Sequence, residues 1–414
     1  MTATVRRERW RSLCAGAVES AGSTFLLLVA TRSFGAGPMA KAMVAAGGSI
    51  GLMLSPVLVN AVQAAGRAPA PVAARVLACG AGALVLAACV PAAWAWAFAA
   101  CCVAGLATPF AVIPLLTQVY QDNYPAHRRG RLFSQALMIR IATAMVLGGV
   151  AGWWLDPAPP TGGGGVLSWV ARATAWVPAR ERWLVLGFGV ALGGASWSVA
   201  AVPSKPLPAA AGSHPLHAMR FVRSDPVFRN ALVAWMLMGF ANLAMLPLRV
   251  EYLGNPRHGM SMGAAEIALY TLVVPNLARL LMSPVWGRLF DRMNFFVLRC
   301  ALNLGFALGI AAFFTSNTTT GLVLGAVVYG VSTAGGDVAW SLWTTKVAPP
   351  DRVADYMAVH TFLTGVRGVL APMAAFWAVE RLAPSQMGWA AALMIVAATA
   401  LLLPEIRRGR PTPT

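Results

Sequence analysis

Charge is scarce in this chain. Only 11% of its 414 residues are Asp, Glu, Lys or Arg, and just 14 are acidic, whereas an ordinary soluble domain is about 25% charged and roughly 45–50% apolar. With 58% of residues hydrophobic, too little polar surface is left to clothe a soluble globule. Cysteine is thin as well: Cys14, Cys79, Cys89, Cys101, Cys102 and Cys300 lie in or beside apolar runs, with no C-x-x-C and no Cys/His group at zinc spacing. Neither a disulfide framework nor a metal is expected. The histidines, His127, His214, His217, His258 and His360, are scattered, which argues against a membrane enzyme that gathers them for metal or nucleophilic chemistry. Gly187-Phe188-Gly189 follows no strand and no Gly-rich phosphate loop is present, so no nucleotide or other cofactor is expected. The net charge of +18 would suit nucleic acid, but the basic residues are dispersed between apolar runs. Loops beside a lipid bilayer explain that dispersal better than a nucleic-acid surface.

Long apolar runs are what the chain has instead. A transmembrane helix needs about 20 apolar residues, and twelve such stretches lie near 13–31, 39–62, 72–92, 94–120, 131–155, 183–203, 228–248, 262–286, 294–314, 319–343, 354–379 and 386–404. The chain is therefore expected to be an all-α polytopic membrane protein. A polar segment, 204–227, containing Pro206, Pro208, Gly212, His214 and His217, separates residues 1–203 from 228–414. The start, Arg6-Arg7-Glu8-Arg9-Trp10-Arg11 before an apolar run, imitates a signal peptide, but Glu19 interrupts the run and no A-x-A site follows. It is expected to be the first span.

Orientation follows from the basic residues. With both termini in the cytoplasm, 21 Lys and Arg fall on the cytoplasmic side and 8 outside, while Arg140, Arg279 and Arg367 fall within spans. The outer segment Asp156 to Arg182 opens Pro- and Gly-rich and then carries Trp169 and Trp176 on one helical face, as an interfacial helix would; a plain loop is the alternative. Asn317-Thr318-Thr319 matches a glycosylation sequon, but the Ala/Arg-rich, Lys-poor composition is bacterial in character, which points to a bacterial cytoplasmic membrane.

The two halves correspond. Ser55-Pro56-Val57 recurs as Ser283-Pro284-Val285 at offset 228, Arg140 and Arg367 differ by 227, and Pro125 and Arg128 are answered by Pro349 and Arg352 at offset 224. Weak correspondences at a fixed offset are how internal repeats of transporters show themselves. Between the eighth and ninth spans, Gly287-Arg288-Leu289-Phe290-Asp291-Arg292 resembles the signature loop G-x-L-x-D-R of the major facilitator superfamily. The resemblance implies two pseudo-symmetric six-helix bundles. It also implies a gating loop in which Gly287, Asp291 and Arg292 latch the cytoplasmic side, with Asp291 facing the start of the fifth helix near Arg128 to Arg131. The first-half copy, 55–63, lacks the Asp, so a latch there would have to be rebuilt around Asn60, Gln63 and Arg67 or be absent. Drug antiporters of that superfamily carry Gly-Pro in the fifth span, and 141–154 contains no proline.

Glu19, Arg140, Arg279, Asp337 and Arg367 lie well inside spans. Each unpaired charge there costs about 3 kcal/mol on insertion scales, so they must pair or face a water-filled cavity. They occupy the first, fifth, eighth, tenth and eleventh spans, which the resemblance assigns to the cavity and its border. Arg279, about two turns from the cytoplasmic end, has snorkelling to the interface as its alternative. Asp337, Trp340, Ser341 and Thr344 share one face of the tenth span, and His360, Thr364 and Arg367 one face of the eleventh. Asn242 and Asn276 are softer candidates, for which helix packing is the favoured explanation. Two roles stand open for the acids, a proton carrier or permanent partners of Arg140 and Arg367. Three Arg against two acids leaves room for an anionic solute to complete the balance, unless Arg279 snorkels.

The expected function is a secondary active transporter, acting as a monomer, that moves a small solute by alternating access with proton coupling. The substrate-binding or coupling candidates are Glu19, Arg140, Asn242, Asp337, Trp340, His360 and Arg367. An exporter of metabolites or hydrophobic compounds, suggested by 15 Trp and 18 Met, is the alternative within transport; a polytopic enzyme or lipid scramblase is the alternative outside it.

Overall fold

A computed structural model describes residues 2–19, 25–155, 180–208, 216–254, 260, 262, 266–267 and 269–408. Every regular element among the described residues is helical. The first span is built from Thr2–Glu19 and Leu26–Arg32, followed by Pro38–Ala64, Pro69–Cys89, Ala95–Ala111 with Ile113–Asn123, Arg129–Leu155 and Arg180–Ala200. The second six are Pro226–Gly254, a π-helical turn Leu269–Val273 running into Val274–Arg292, Phe295–Thr315, Thr319–Leu342, Val353–Val379 and Pro384–Ala400. Ten of these segments are long and apolar enough to cross a membrane. The first and eighth fall short on charge, since they carry Arg6 to Arg11 with Glu19, and Arg279 with Arg288 to Arg292. With twelve spans both chain ends reach one side, which we call the terminal face.

Local chemistry sets the helix starts. Pro38, Pro69 and Pro384 stand in the first turn, where a missing N–H costs nothing. Asn294 and Thr318 cap the ninth and tenth helices by accepting from Phe296 N and Gly321 N. The fourth span breaks at Val112 between Pro109 and Pro114, because each proline removes a ladder hydrogen bond. The basic stretch Arg6 to Arg11 is helical and continuous with the run that follows it, with Arg11 and Tyr120 both bonded to Glu8 at 2.6 and 2.8 Å. The stretch 156–179, with Trp169 and Trp176, lies outside the described residues.

Helices 1–6 pack among themselves and 7–12 likewise, and the two bundles meet along helices 2 and 11, 5 and 8, and 4 and 11. Their polar contacts cluster toward the terminal face: Gln63 Nε2 donates to Asp355 Oδ1 at 2.8 Å, Gln118 Nε2 to the Pro350 carbonyl at 2.9 Å, and the Ala354 N–H to Gln118 Oε1 at 3.1 Å. Deeper, the hydroxyls of Ser55 and Thr361 meet at 2.5 Å. The halves are thus closed on the terminal face.

Candidate functional site

At the centre of the molecule four charges from four helices form one chain. Glu19, ending the first helix, pairs with Arg140 of the fifth at 2.9 Å and reaches Arg279 of the eighth at 3.8 Å. Arg279 Nε pairs with Asp337 of the tenth at 2.5 Å, and its Nη1 donates to Asn276 Oδ1 at 3.4 Å. Arg279 therefore does not snorkel; it turns inward because acids from both halves converge on it. Glu19 and Arg279 join the two bundles directly.

Two cavities flank this chain. One, of about 390 Å³, is lined by Arg11, Glu19, Phe110, Tyr120 and Arg140 of the first half. The other, of about 350 Å³, is lined by Trp235, Asn242, Arg249, Arg279, Arg299, Asp337 and Arg367 of the second. Trp340 lines both. Asn242 Oδ1 accepts from the Tyr329 hydroxyl at 2.8 Å.

Arg367 meets no acid among the described residues. Its Nη1 donates to the Trp235 carbonyl, and a Cβ on Gly239 would collide with its guanidinium, so the glycine is what leaves it room. Two further arginines, Arg249 and Arg299, belong to this cavity and are not among the charges that the sequence places inside spans. Arg249 lies with its guanidinium 3.4 Å over the Tyr329 ring, and Arg299 lies 3.5 Å over Trp235. The signal was present in both cases: Arg299 stands five residues inside the apolar run from Asn294, and Arg249 sits at i+7 from Asn242. Removing them from the loop counts takes one basic residue from each side, so the bias remains.

His360 stands apart from both cavities. It is fully buried, its ring within 5.2, 5.5 and 5.3 Å of the rings of Trp235, Trp340 and Trp343. Thr344 is likewise buried, against Met357. Of the tenth-helix face read from the sequence, only Asp337, Trp340 and Ser341 line open space.

The two signature loops are related by an exchange of roles. Asp291 accepts from the Gly130 and Arg131 N–H groups at 2.6 and 2.9 Å, where the first turn of the fifth helix exposes unpaired donors. Burial pushes its carboxyl up, and these two donors draw it back. Gly287 and Gly130 lie against each other here, a Cβ on Gly130 falling 2.6 Å from the Gly287 carbonyl. Adding the repeat offset of 228 to Gln63 gives 291, and adding 224 to Arg131 gives 355. In the first half the acid has moved across the interface: Gln63 donates, and the fully buried Asp355 of the eleventh helix accepts. Arg352 and His217 approach the same carboxylate at 3.4 and 3.7 Å. Arg292 is exposed and forms no ion pair among the described residues.

A sequence profile described as Major Facilitator Superfamily matches residues 135–372. No curated protein matches the chain. Among solved structures the chain is similar to the proton:xylose symporter XylE, with a TM-score of 0.68 at 16% identity, covering 97% of this chain and 95% of that one. The fucose:proton symporter FucP of E. coli gives 0.68 at 13%, covering 97% of each chain. A bacterial homologue of the iron transporter ferroportin, solved in an outward-facing state, gives 0.71 at 15%, covering 98% of this chain and 99% of that one.

Proposed function

The chain belongs to the major facilitator superfamily, and from that premise we propose that it is a proton-coupled secondary transporter whose coupling site is the chain Arg140, Glu19, Arg279 and Asp337. It is a multi-pass membrane transporter rather than an enzyme. The proposed setting is a bacterial cytoplasmic membrane with both termini inside, so that the terminal face is cytoplasmic, in keeping with the basic-residue bias. Residues 1–203 and 228–414 act as the two rocking bundles, and 204–227 connects them.

The observation that carries the proposal is the sharing of Arg279 between Glu19 of one half and Asp337 of the other. Two unit charges 4 Å apart attract by about 4 kcal/mol at an effective dielectric constant of about 20. Protonating either carboxyl removes its share of that attraction. Loss of the Glu19 charge loosens the one ion pair of this chain that crosses between bundles, which is the step alternating access needs. Loss of the Asp337 charge frees Arg279 within its own half.

Proton flux into proteoliposomes, on adding solutes from a pooled metabolite library, tests this. Wild type is expected to show solute-driven acidification that Asp337→Asn and Glu19→Gln abolish while solute exchange persists. Flux unchanged in both variants would sink the coupling role, and exchange without any flux in wild type would make the protein a uniporter.

A further inference from the structure

The second-half cavity holds more positive charge than its acids balance. Arg249, Arg279, Arg299 and Arg367 all line it, and among the described residues Asp337 is its one lining carboxylate, already committed to Arg279. Among the described residues no carboxylate forms an ion pair with Arg249, Arg299 or Arg367, and Arg249 Nε, Arg299 Nη1 and Arg367 Nε are buried without a hydrogen-bond partner. All three side chains are nine-tenths or more buried. A desolvated cation with no carboxylate beside it is one of the most costly groups a fold can carry, and the aromatic rings beneath Arg249 and Arg299 return only part of that cost. An acidic ligand entering the cavity would supply the missing counter-charge.

We infer that this cavity binds a small organic anion, its acidic group held between Arg299 and Arg367. Both guanidinium groups are held against Trp235, one over the ring and the other at its carbonyl, and both line the same cavity, so two planar forks of the kind that recognise a carboxylate are available to one ligand. Arg249 forms a second positive pole at Tyr329, whose hydroxyl is tied to Asn242. Trp235 and Asn242 are seven residues apart on one helix, about 10 Å along its axis. Between the poles the wall is apolar, with Phe306, Leu243 and Trp340. A space of about 350 Å³ exceeds what an inorganic oxyanion fills and suits an organic molecule. The lining repels divalent cations. As a statement of which solute is moved, the inference rests on the transporter proposal; as a statement of binding, it stands on the cavity alone.

Thermal unfolding of the purified full chain tests it with benzoate, salicylate and succinate as probes, benzamide as the neutral isostere of benzoate, and sulfate as an inorganic anion. Saturable stabilisation by a carboxylate is expected, with none from benzamide or sulfate. The half-saturating concentration is expected to rise about tenfold or more in Arg299→Gln and in Arg367→Gln, the size of one lost charge-assisted hydrogen bond. Should a Gln variant fail to fold, Arg367→Lys, which keeps charge and loses the fork, should fold and bind more weakly. Equal response to benzamide, response to sulfate alone, no response to any carboxylate, or unchanged half-saturation in the variants overturns the inference. Proton flux driven by a neutral solute without anion stabilisation would overturn this inference and leave the transporter proposal standing. Anion stabilisation without any solute-driven flux would do the reverse.

Discussion

Gly239 decides where the Arg367 guanidinium can sit. A methyl group on Gly239 would occupy the position of the guanidinium, the far end of a flexible side chain that borders the open cavity. Gly239→Ala is therefore expected to push Arg367 off the Trp235 carbonyl. Overpacking costs about 1–3 kcal/mol in a closed core and less where a flexible side chain can swing into open space, so we expect a small fall in Tm by calorimetry together with weakened carboxylate stabilisation. An unchanged Tm and unchanged anion response would show that the helices part to accept the methyl group. At this scale the sequence was legible for identity and not for partnership. Glu19, Arg140 and Asp337 stand out as charges inside apolar runs. That Arg279 bridges two acids, while Arg367 meets a carbonyl, depends on helices more than 50 residues apart in the chain.

Helix ends carry the closure of the terminal face. Asp291 plugs the donor-rich first turn of the fifth helix, and Asp355 receives Gln63 near the first turn of the eleventh. A carboxylate on helix N–H donors is worth about 0.3–1 kcal/mol at exposed positions and up to about 2 when partly buried. Asp291→Asn should weaken closure by about 1 kcal/mol, shifting the population roughly fivefold toward the state open on that face. Asp355→Leu should act more strongly, since it strands the buried Gln63 amide without its acceptor and removes the carboxylate that Arg352 approaches. Labelling of a cysteine introduced by Ser341→Cys, from the terminal face, checks both; no increase in labelling in either variant would remove the latch proposal. The second-half latch shows in the sequence through the spacing of Gly287, Asp291 and Arg292. The first-half latch does not, because its acid is carried by the opposite helix and only three-dimensional pairing with Gln63 reveals the exchange.

For the whole molecule, contacts between the halves toward the terminal face imply that locking them there arrests the cycle. Ser55 and Thr361 offer a direct test, since their hydroxyls already touch at 2.5 Å and both residues are fully buried. The double substitution Ser55→Cys with Thr361→Cys is expected to lose two free thiols on oxidation, counted by mass spectrometry over the six native cysteines. Solute exchange should fall to background when oxidised and return on reduction. Full exchange by the cross-linked protein would show that helices 2 and 11 need not separate there.

Composition and period settled the large outline: too few charges for a soluble surface, twelve apolar runs for twelve spans, a near-constant offset for two related halves, and charges in lipid-sized runs that must be buried. These are local or additive properties, and each residue contributes to them without regard to distant neighbours. The tertiary structure alone decided which charges pair, that Arg249 and Arg299 turn inward, that His360 is enclosed by tryptophans rather than facing the cavity, and that the halves close on the terminal face. Pairing is set by helix crossings and by the direction each long side chain takes across a gap of a few ångströms, and neither quantity is a function of spacing along a single helix.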